Sequence, residues 1–138
     1  MFDWFTLHVA ALVVTAAVFG GMIFFMAFFA PMVFRHLDRS TAGAFMRKLF
    51  PTYYGVMAPV SAVPALLLLP GATYGVEIAI MLAVAGAFVI GSRVFTPALD
   101  RHRDDADRSR FAAIHRLSVI VHLAQFAAVA VVLVRLAE

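Results

Sequence analysis

Cysteine is missing from the chain altogether. That removes thiolate metal sites, disulfides and a cysteine nucleophile, although it does not assign a compartment, since cysteine-free chains occur in all of them. Charge is scarce as well. Asp, Glu, Lys and Arg make up 14% of the 138 residues, against 64% hydrophobic, and the mean hydropathy is +0.95. Soluble domains carry about 25% charged and roughly 45–50% apolar residues. So little charge cannot cover a surface facing water, and a soluble domain is excluded. No Lys or Arg precedes Arg35, whereas a secretory leader opens on a basic stretch before a short apolar core; the first apolar run is therefore read as a true span. Acids are absent from the middle of every apolar block. Asp3, Glu77 and Glu138 fall at the outer ends and the others in the charged connections, which argues against a carboxylate proton relay or a hard-metal pore. No Walker loop, zinc motif or catalytic triad is visible, and no catalytic residue is assigned. The sequence pI is near 10.0, but there is no exposed basic domain to carry nucleic acid; basic residues beside spans set topology and meet anionic lipid.

What the chain does have is four long apolar blocks. A span needs about 20 predominantly apolar residues, and the blocks place spans at about 4–29, 51–69, 76–95 and 111–134. They use nearly the whole of 1–138, so the expected fold is all-α: a single four-helix transmembrane domain. Pro31, Pro70-Gly71 and Pro97 mark the ends of the first three spans. Trp4, Tyr53, Tyr54 and Tyr74 fall near span ends, where amphipathic rings favour the headgroup region.

The connections are informative. Ala42, Phe45, Met46, Leu49 and Phe50 recur at helical spacing, with Arg39, Gly43, Arg47 and Lys48 opposite. This pattern describes a short interfacial helix over about 40–50, the alternative being a tilted beginning to span two. The 98–110 connection mixes Asp100, Asp104, Asp105 and Asp107 with Arg101, Arg103, Arg108 and Arg110, as solvated turns do. Connection one (Arg35, Arg39, Arg47, Lys48) and connection three (Arg93, Arg101, Arg103, Arg108, Arg110, Arg116) together hold all but one of the 11 basic residues, Arg135. The positive-inside rule then puts both connections in the cytoplasm and both termini outside, and the expected location is a bacterial inner membrane, with membrane lipids as partners.

Residues 30–51 align without gaps on 96–117, pairing Pro31 with Pro97, Arg35 with Arg101, His36 with His102, Asp38 with Asp104 and Phe45 with Phe111. A parallel two-helix repeat would produce this, and so would chance over so short a stretch. Close packing of small residues holds helices together in lipid, so Ala79, Ala83, Ala87 and Gly91, spaced by four along span three, are expected to form a contact face. Ala16 with Gly20, Ala17 with Gly21, and Ala124 with Ala128 offer shorter stripes on spans one and four.

The stretch Gly43-x4-Lys48-Leu49-Phe50-Pro51-x-Tyr53-Tyr54 resembles the transmembrane-protein-205 family of small four-span membrane proteins, which has bacterial and eukaryotic members. Arg93 four before Pro97, then Phe111-x3-His115-x2-Ser118, extend the resemblance over most of the chain. Where that family often has Asn, this chain has Gly91 and His122. The resemblance implies the four-helix fold. Eukaryotic members have been linked to platinum-drug tolerance and secretion, which implies transport or trafficking without naming a substrate. In architecture alone the chain also looks like small four-helix membrane proteins of copper resistance and haem oxidation.

Candidate functional residues follow from depth. His115, Ser118 and His122 share one face of span four; His122 lies roughly 16 Å along the helix from Phe111. Polar side chains at that depth need a partner within the bundle: a ligand, metal, haem or proton on one reading, another helix on the other. His8 sits about one turn inside the outer end of span one. With His122 it would form a bis-histidine haem site only under strain, since their depths differ by roughly 10 Å at helical rise; no cofactor is assigned. Met22 and Met26, one turn apart, suit either copper(I) or packing. Arg93 and Lys48 either snorkel to lipid phosphate or turn inward, Arg93 towards Asp100 or an anionic ligand. If Lys48, Arg93, His115, Tyr53 and Tyr54 converge, they make a cationic, aromatic-walled pocket for an anionic headgroup or small molecule. Three functions stand at this point: binding or transport through that cluster, a haem- or metal-dependent redox protein using His122, and a structural partner subunit.

Overall fold

A computed structural model describes residues 5–138. Trp4 and Asp3, assigned above to the outer end of span one, lie outside the described residues. Four helices are long and apolar enough to cross a membrane: α1 (Leu7–His36), α2 (Arg39–Leu68), α3 (Gly75–His102) and α4 (Ser109–Ala137). The chain is a multi-pass integral membrane protein and its fold is all-α. At 1.5 Å per residue each helix is roughly 40–45 Å long, more than the ~30 Å hydrocarbon core, so every helix carries polar turns beyond it.

The helices run on past the prolines expected to stop them. In α1 a π-helical turn at Phe24–Phe29 precedes the segment Ala30–His36, and in α3 one at Gly91–Phe95 precedes Thr96–His102. Pro31 and Pro97 fall in the first turn of the segments that follow. Proline has no N–H to give and its ring crowds the preceding turn; a turn widened by one residue accommodates it without breaking the helix. The wide turns close through Ala30 N–H to the Phe25 carbonyl and Thr96 N–H to the Gly91 carbonyl, with the Thr96 hydroxyl donating to Gly91 as well (3.0 Å). Shifting Phe25–Phe29 and Ala30–His36 by the 66-residue offset of the sequence repeat lands on Gly91–Phe95 and Thr96–His102. The internal likeness is thus structural as well as sequential.

The expected separate helix over 40–50 is corrected. Those residues are helical, but they are the first turns of α2, which continues through Pro51, Pro59 and Pro64. Proline is tolerated within membrane helices because neighbouring groups satisfy the freed carbonyls. Asp38 caps the start, accepting from Thr41 N–H at 3.0 Å, and the turn at Pro70-Gly71 ends the hairpin. A Cβ on Gly71 would stand 2.6 Å from the Tyr74 ring, so any larger residue here would have to displace that ring.

Neighbours in sequence are neighbours in space, and α4 closes the ring against α1; among the described residues the diagonal pairs, α1 with α3 and α2 with α4, make no backbone approach. The core is built from large side chains: Val18, Met22, Leu68, Met81, Phe88, Val129, Val132 and Leu136 are all at most 3% exposed. Phe19 of α1 stacks on Phe126 of α4 (4.7 Å). The expected contact face of α3 is also corrected, because Ala79 and Ala83 are exposed and Ala87 half-buried. Glu77, Met81, Val84, Ala85, Phe88 and Gly91 turn inward instead. Dispersion between tightly packed large side chains holds the inner faces. Of the shorter stripes, Ala16, Ala17 and Gly20 face outward, while Gly21 packs near Met57.

Polar ties concentrate at the end of the bundle that holds the 69–74 turn. The buried Glu77 carboxylate accepts from Arg135, and His8 Nε2 donates to the Leu136 carbonyl at 2.8 Å with its ring against Tyr74. Nearer the middle, Gln125 Nε2 donates to the Val84 carbonyl (3.0 Å). The opposite, arginine-rich end is hollow.

Candidate functional site: an arginine-rimmed cavity

All four helices open around a cavity of about 470 Å³ at the arginine-rich end, within the roughly 300–1,000 Å³ of small-molecule sites. The π-turns contribute to it. Beyond them, α1 presents Ala30 and Phe34 and α3 presents Thr96, Leu99 and Asp100, while Phe25, Met26 and Phe95 come from the wide turns themselves. α2 supplies Phe50 and Tyr54, and α4 supplies Phe111, His115, Ser118 and His122. Aromatic and aliphatic groups make most of the wall.

The cations at the rim are Arg39, Arg47, Arg103 and Arg108, with Asp100 the one carboxylate on the lining. Arg103 stands 3.8 Å from Asp100 and reaches towards Gly43, where a Cβ would lie 3.7 Å from its guanidinium; its Nε is buried with no partner. Arg108 lies over the Phe111 ring at 5.3 Å, a cation–π arrangement.

The inner end of the cavity is a layer with one ring from each helix. Tyr53 stacks on Phe25 (3.9 Å, 10°); Phe88 stands edge-on to both Tyr53 and His122; and the Tyr53 hydroxyl approaches His122 Nε2 at 3.5 Å. Tyr54 lies beside Phe88 and over Gly91, where a Cβ would meet its ring at 3.2–3.3 Å. Gly91 therefore serves a close approach of ring to backbone. His122 is 8% exposed and its Nδ1 has no partner.

The structure brings Tyr54, His115, Ser118 and His122 onto one cavity, with Tyr53 just behind His122. The expected convergence of Lys48 and Arg93 with His115 is corrected: both are exposed and neither lines the cavity. Lys48 is about 100° round the helix from Arg47, which does line it. Arg93 sits in the π-turn, where the face changes, and the partner of Asp100 is Arg103 instead. The Ser118 hydroxyl donates to the His115 carbonyl (2.7 Å), so the two are tied through backbone, while the His115 ring stacks on Phe111. His8 and His122 are not brought together. His8 is held at Leu136, 14 residues from His122 on α4 and so roughly 21 Å away along the helix. Met22 is in the core and Met26 on the cavity wall, so they face different surroundings. Among the described residues no three His, Asp or Glu side chains group as metal ligands. Sequence reasoning missed Arg39, Arg47, Arg103 and Arg108 as the rim; their signal was present as basic residues at helical spacing in connection one and beside the third span.

Fold and cavity together define a four-span membrane bundle hollowed at its basic end. The chain belongs to the family described as a domain of unknown function, DUF4149, whose model matches residues 13–108. The match takes in most of α1 and all of α2 and α3 and stops just before α4. No curated protein and no solved structure matches.

Proposed function

We propose that the protein binds a small anionic amphiphile, a lipid or a lipid-like metabolite, in this cavity, with its arginine-rich end in the cytoplasm of a bacterial cell. The observation that carries the reading is the pairing of an apolar, aromatic-walled interior with four guanidiniums and one carboxylate at the rim. An arginine fork matches carboxylate or phosphate oxygens, and the aromatic wall takes the apolar body. The resemblance to the transmembrane-protein-205 family, with its link to secretion, supports handling of a small molecule over a purely structural part. The distribution of Lys and Arg supports the orientation.

The test uses the purified full chain in neutral detergent and two probes of equal length, dodecyl phosphate and dodecyl trimethylammonium, titrated calorimetrically. The phosphate is expected to bind, and Arg39→Gln with Arg103→Gln to weaken it at least tenfold. Equal binding of the cationic probe overturns the reading.

A further inference from the structure

The ring of four helices does not close along its whole length. Towards the 69–74 turn, α1 and α4 are joined: His8 bonds to the Leu136 carbonyl and Phe19 stacks on Phe126. From Phe24 onwards, among the described residues, the backbone of α1 no longer approaches that of α4. The matched parts of α3, Gly91–Phe95 and Thr96–His102, both keep their approach to α4. Ala30–His36 approaches α2 alone among the other helices, and on that side Phe25 meets Phe50 and Tyr53 while Phe29 meets Phe45. The bundle is therefore open on one side, between α1 and α4.

The two joined points set the level of this antiparallel pair. Carried on along the helices, they place Met26, Ala30 and Phe34 of α1 opposite about Val119, His115 and Phe111 of α4. All six line the cavity, so the open side is a mouth of that cavity. Phe34, His115 and Val119 are exposed while lining it, as groups on a lip are. None of the six is an acid, a lysine or an arginine, so hydrocarbon passes between them without stripping water from a fixed charge. A span keeps about 20 residues in the hydrocarbon core. Centred on each helix, that stretch holds Met26, Ala30, His115 and Val119, with Phe34 and Phe111 at its edge. The mouth faces acyl chains.

Size gives a second constraint. An apolar space of about 150 Å³ holds benzene, roughly 25 Å³ per carbon. At that scale a cavity of about 470 Å³ takes on the order of 19 carbons, enough for one chain and too few for two long ones. Resting on the anionic-amphiphile reading, we infer that the ligand is a two-chain anionic phospholipid of the leaflet on the arginine-rich side. It enters sideways between α1 and α4, its phosphate under the rim arginines and its chains passing out through the mouth into the bilayer. The rim selects the head, and the open side frees the chains from the limit that an enclosed cavity would set.

The experiment uses the full chain in phosphatidylcholine vesicles with a small share of phosphatidic acid carrying a photoreactive diazirine on one acyl chain. Labelling is expected on the two lips, Met26 to Phe34 and His115 to Val119, and unlabelled phosphatidic acid should suppress it at least fivefold while added phosphatidylcholine does not. Ala30→Trp with Val119→Trp fills the mouth; it should abolish the suppressible labelling and leave dodecyl phosphate binding in detergent within about twofold of wild type. If the paired variant does not fold, the wild-type competition decides alone. Dodecyl phosphate binding without suppressible labelling at the lips overturns the sideways entry and leaves the anionic amphiphile standing; failure of both probes overturns both. A disulfide between two copies through Val119→Cys, formed in the same vesicles, overturns the lipid mouth by showing that a second copy covers it.

Discussion

Tyr53 and His122 meet across the diagonal of the bundle, hydroxyl oxygen to Nε2 at 3.5 Å, on two helices whose backbones do not approach each other. The contact is at the long limit of a hydrogen bond. Interhelical bonds within membranes average about 0.6 kcal/mol. Tyr53→Phe keeps the stack on Phe25 and is therefore expected to cost about 0.6 kcal/mol, measured by reversible unfolding in mixed micelles. Tyr53→Ala removes the ring as well and should cost about 3–5 kcal/mol, as large core aromatics do.

Gly91 supplies a second test. Its missing side chain makes room for Tyr54, so Gly91→Leu should destabilise by about 1–3 kcal/mol through overpacking and shrink the cavity by displacing that ring. At Gly20 and Gly86 a Cβ would meet nothing within 4 Å; Ala at either should leave the melting temperature unchanged. A loss at Gly86 equal to that at Gly91 would remove the packing explanation.

At the tied end, Glu77 is 5% exposed and its partner Arg135 is 48% exposed. Arg135→Ala leaves a buried carboxylate without its cation. The cost should exceed the ~0–1 kcal/mol of a surface pair and fall below the ~3–5 kcal/mol of a fully buried one, because water reaches the arginine side. Glu77→Gln combined with Arg135→Ala should recover most of it, and a double-mutant cycle measures the coupling.

Acid should loosen the start of α2. The Thr41 hydroxyl and the Thr41 amide hold the Asp38 carboxyl below its ordinary value. A carboxylate whose folded value is depressed contributes stability that is present above its unfolded value and is lost as pH falls through the folded one. Hydrogen exchange at the Thr41 amide, taken relative to the intrinsic rate at the same pH, is expected to rise below about pH 4, the unfolded Asp range. Asp38→Asn, which caps without titrating, should show no such rise.

The absence of cysteine makes orientation simple to read. Thr73→Cys, in the turn between α2 and α3, should react with an impermeant maleimide on intact cells. Ala106→Cys, in the connection before α4, should react only after lysis. The reverse pattern would put the arginine rim outside.

The apolar blocks made the four helices legible, because a membrane demands length and apolarity of every span. The proline rule misled: Pro31 and Pro97 read as boundaries, but a wide turn before each lets the helix run on. The cavity wall was half legible and its arginine rim was not. Tyr54, His115, Ser118 and His122 line the cavity, whereas Lys48 and Arg93 do not. Which side of a helix faces inward depends on phase, and the π-turn in α3 alters the phase next to Arg93. The alanine stripe misled for a related reason. Small residues permit close approach, but Met81 and Phe88 had the larger surface to pack. The Glu77–Arg135 pair, 58 residues apart, carries no local signal beyond a lone base and one of three acids at the same end.

The paired π-turns act as two matched angular offsets in an otherwise continuous rod. Each adds one residue to a turn, so the segment below it is rotated by up to about 100° from where an unbroken α-helix would carry it. Deleting a single residue from Phe24–Phe29 or Gly91–Phe95 would therefore not just shorten a helix. It would swing Ala30 and Phe34, or Leu99 and Asp100, out of the hollow and bring other faces of Ala30–His36 or Thr96–His102 into it. The hollow at the arginine-rich end is in this sense a product of counting: one spare residue in each of two helices sets which side chains line it.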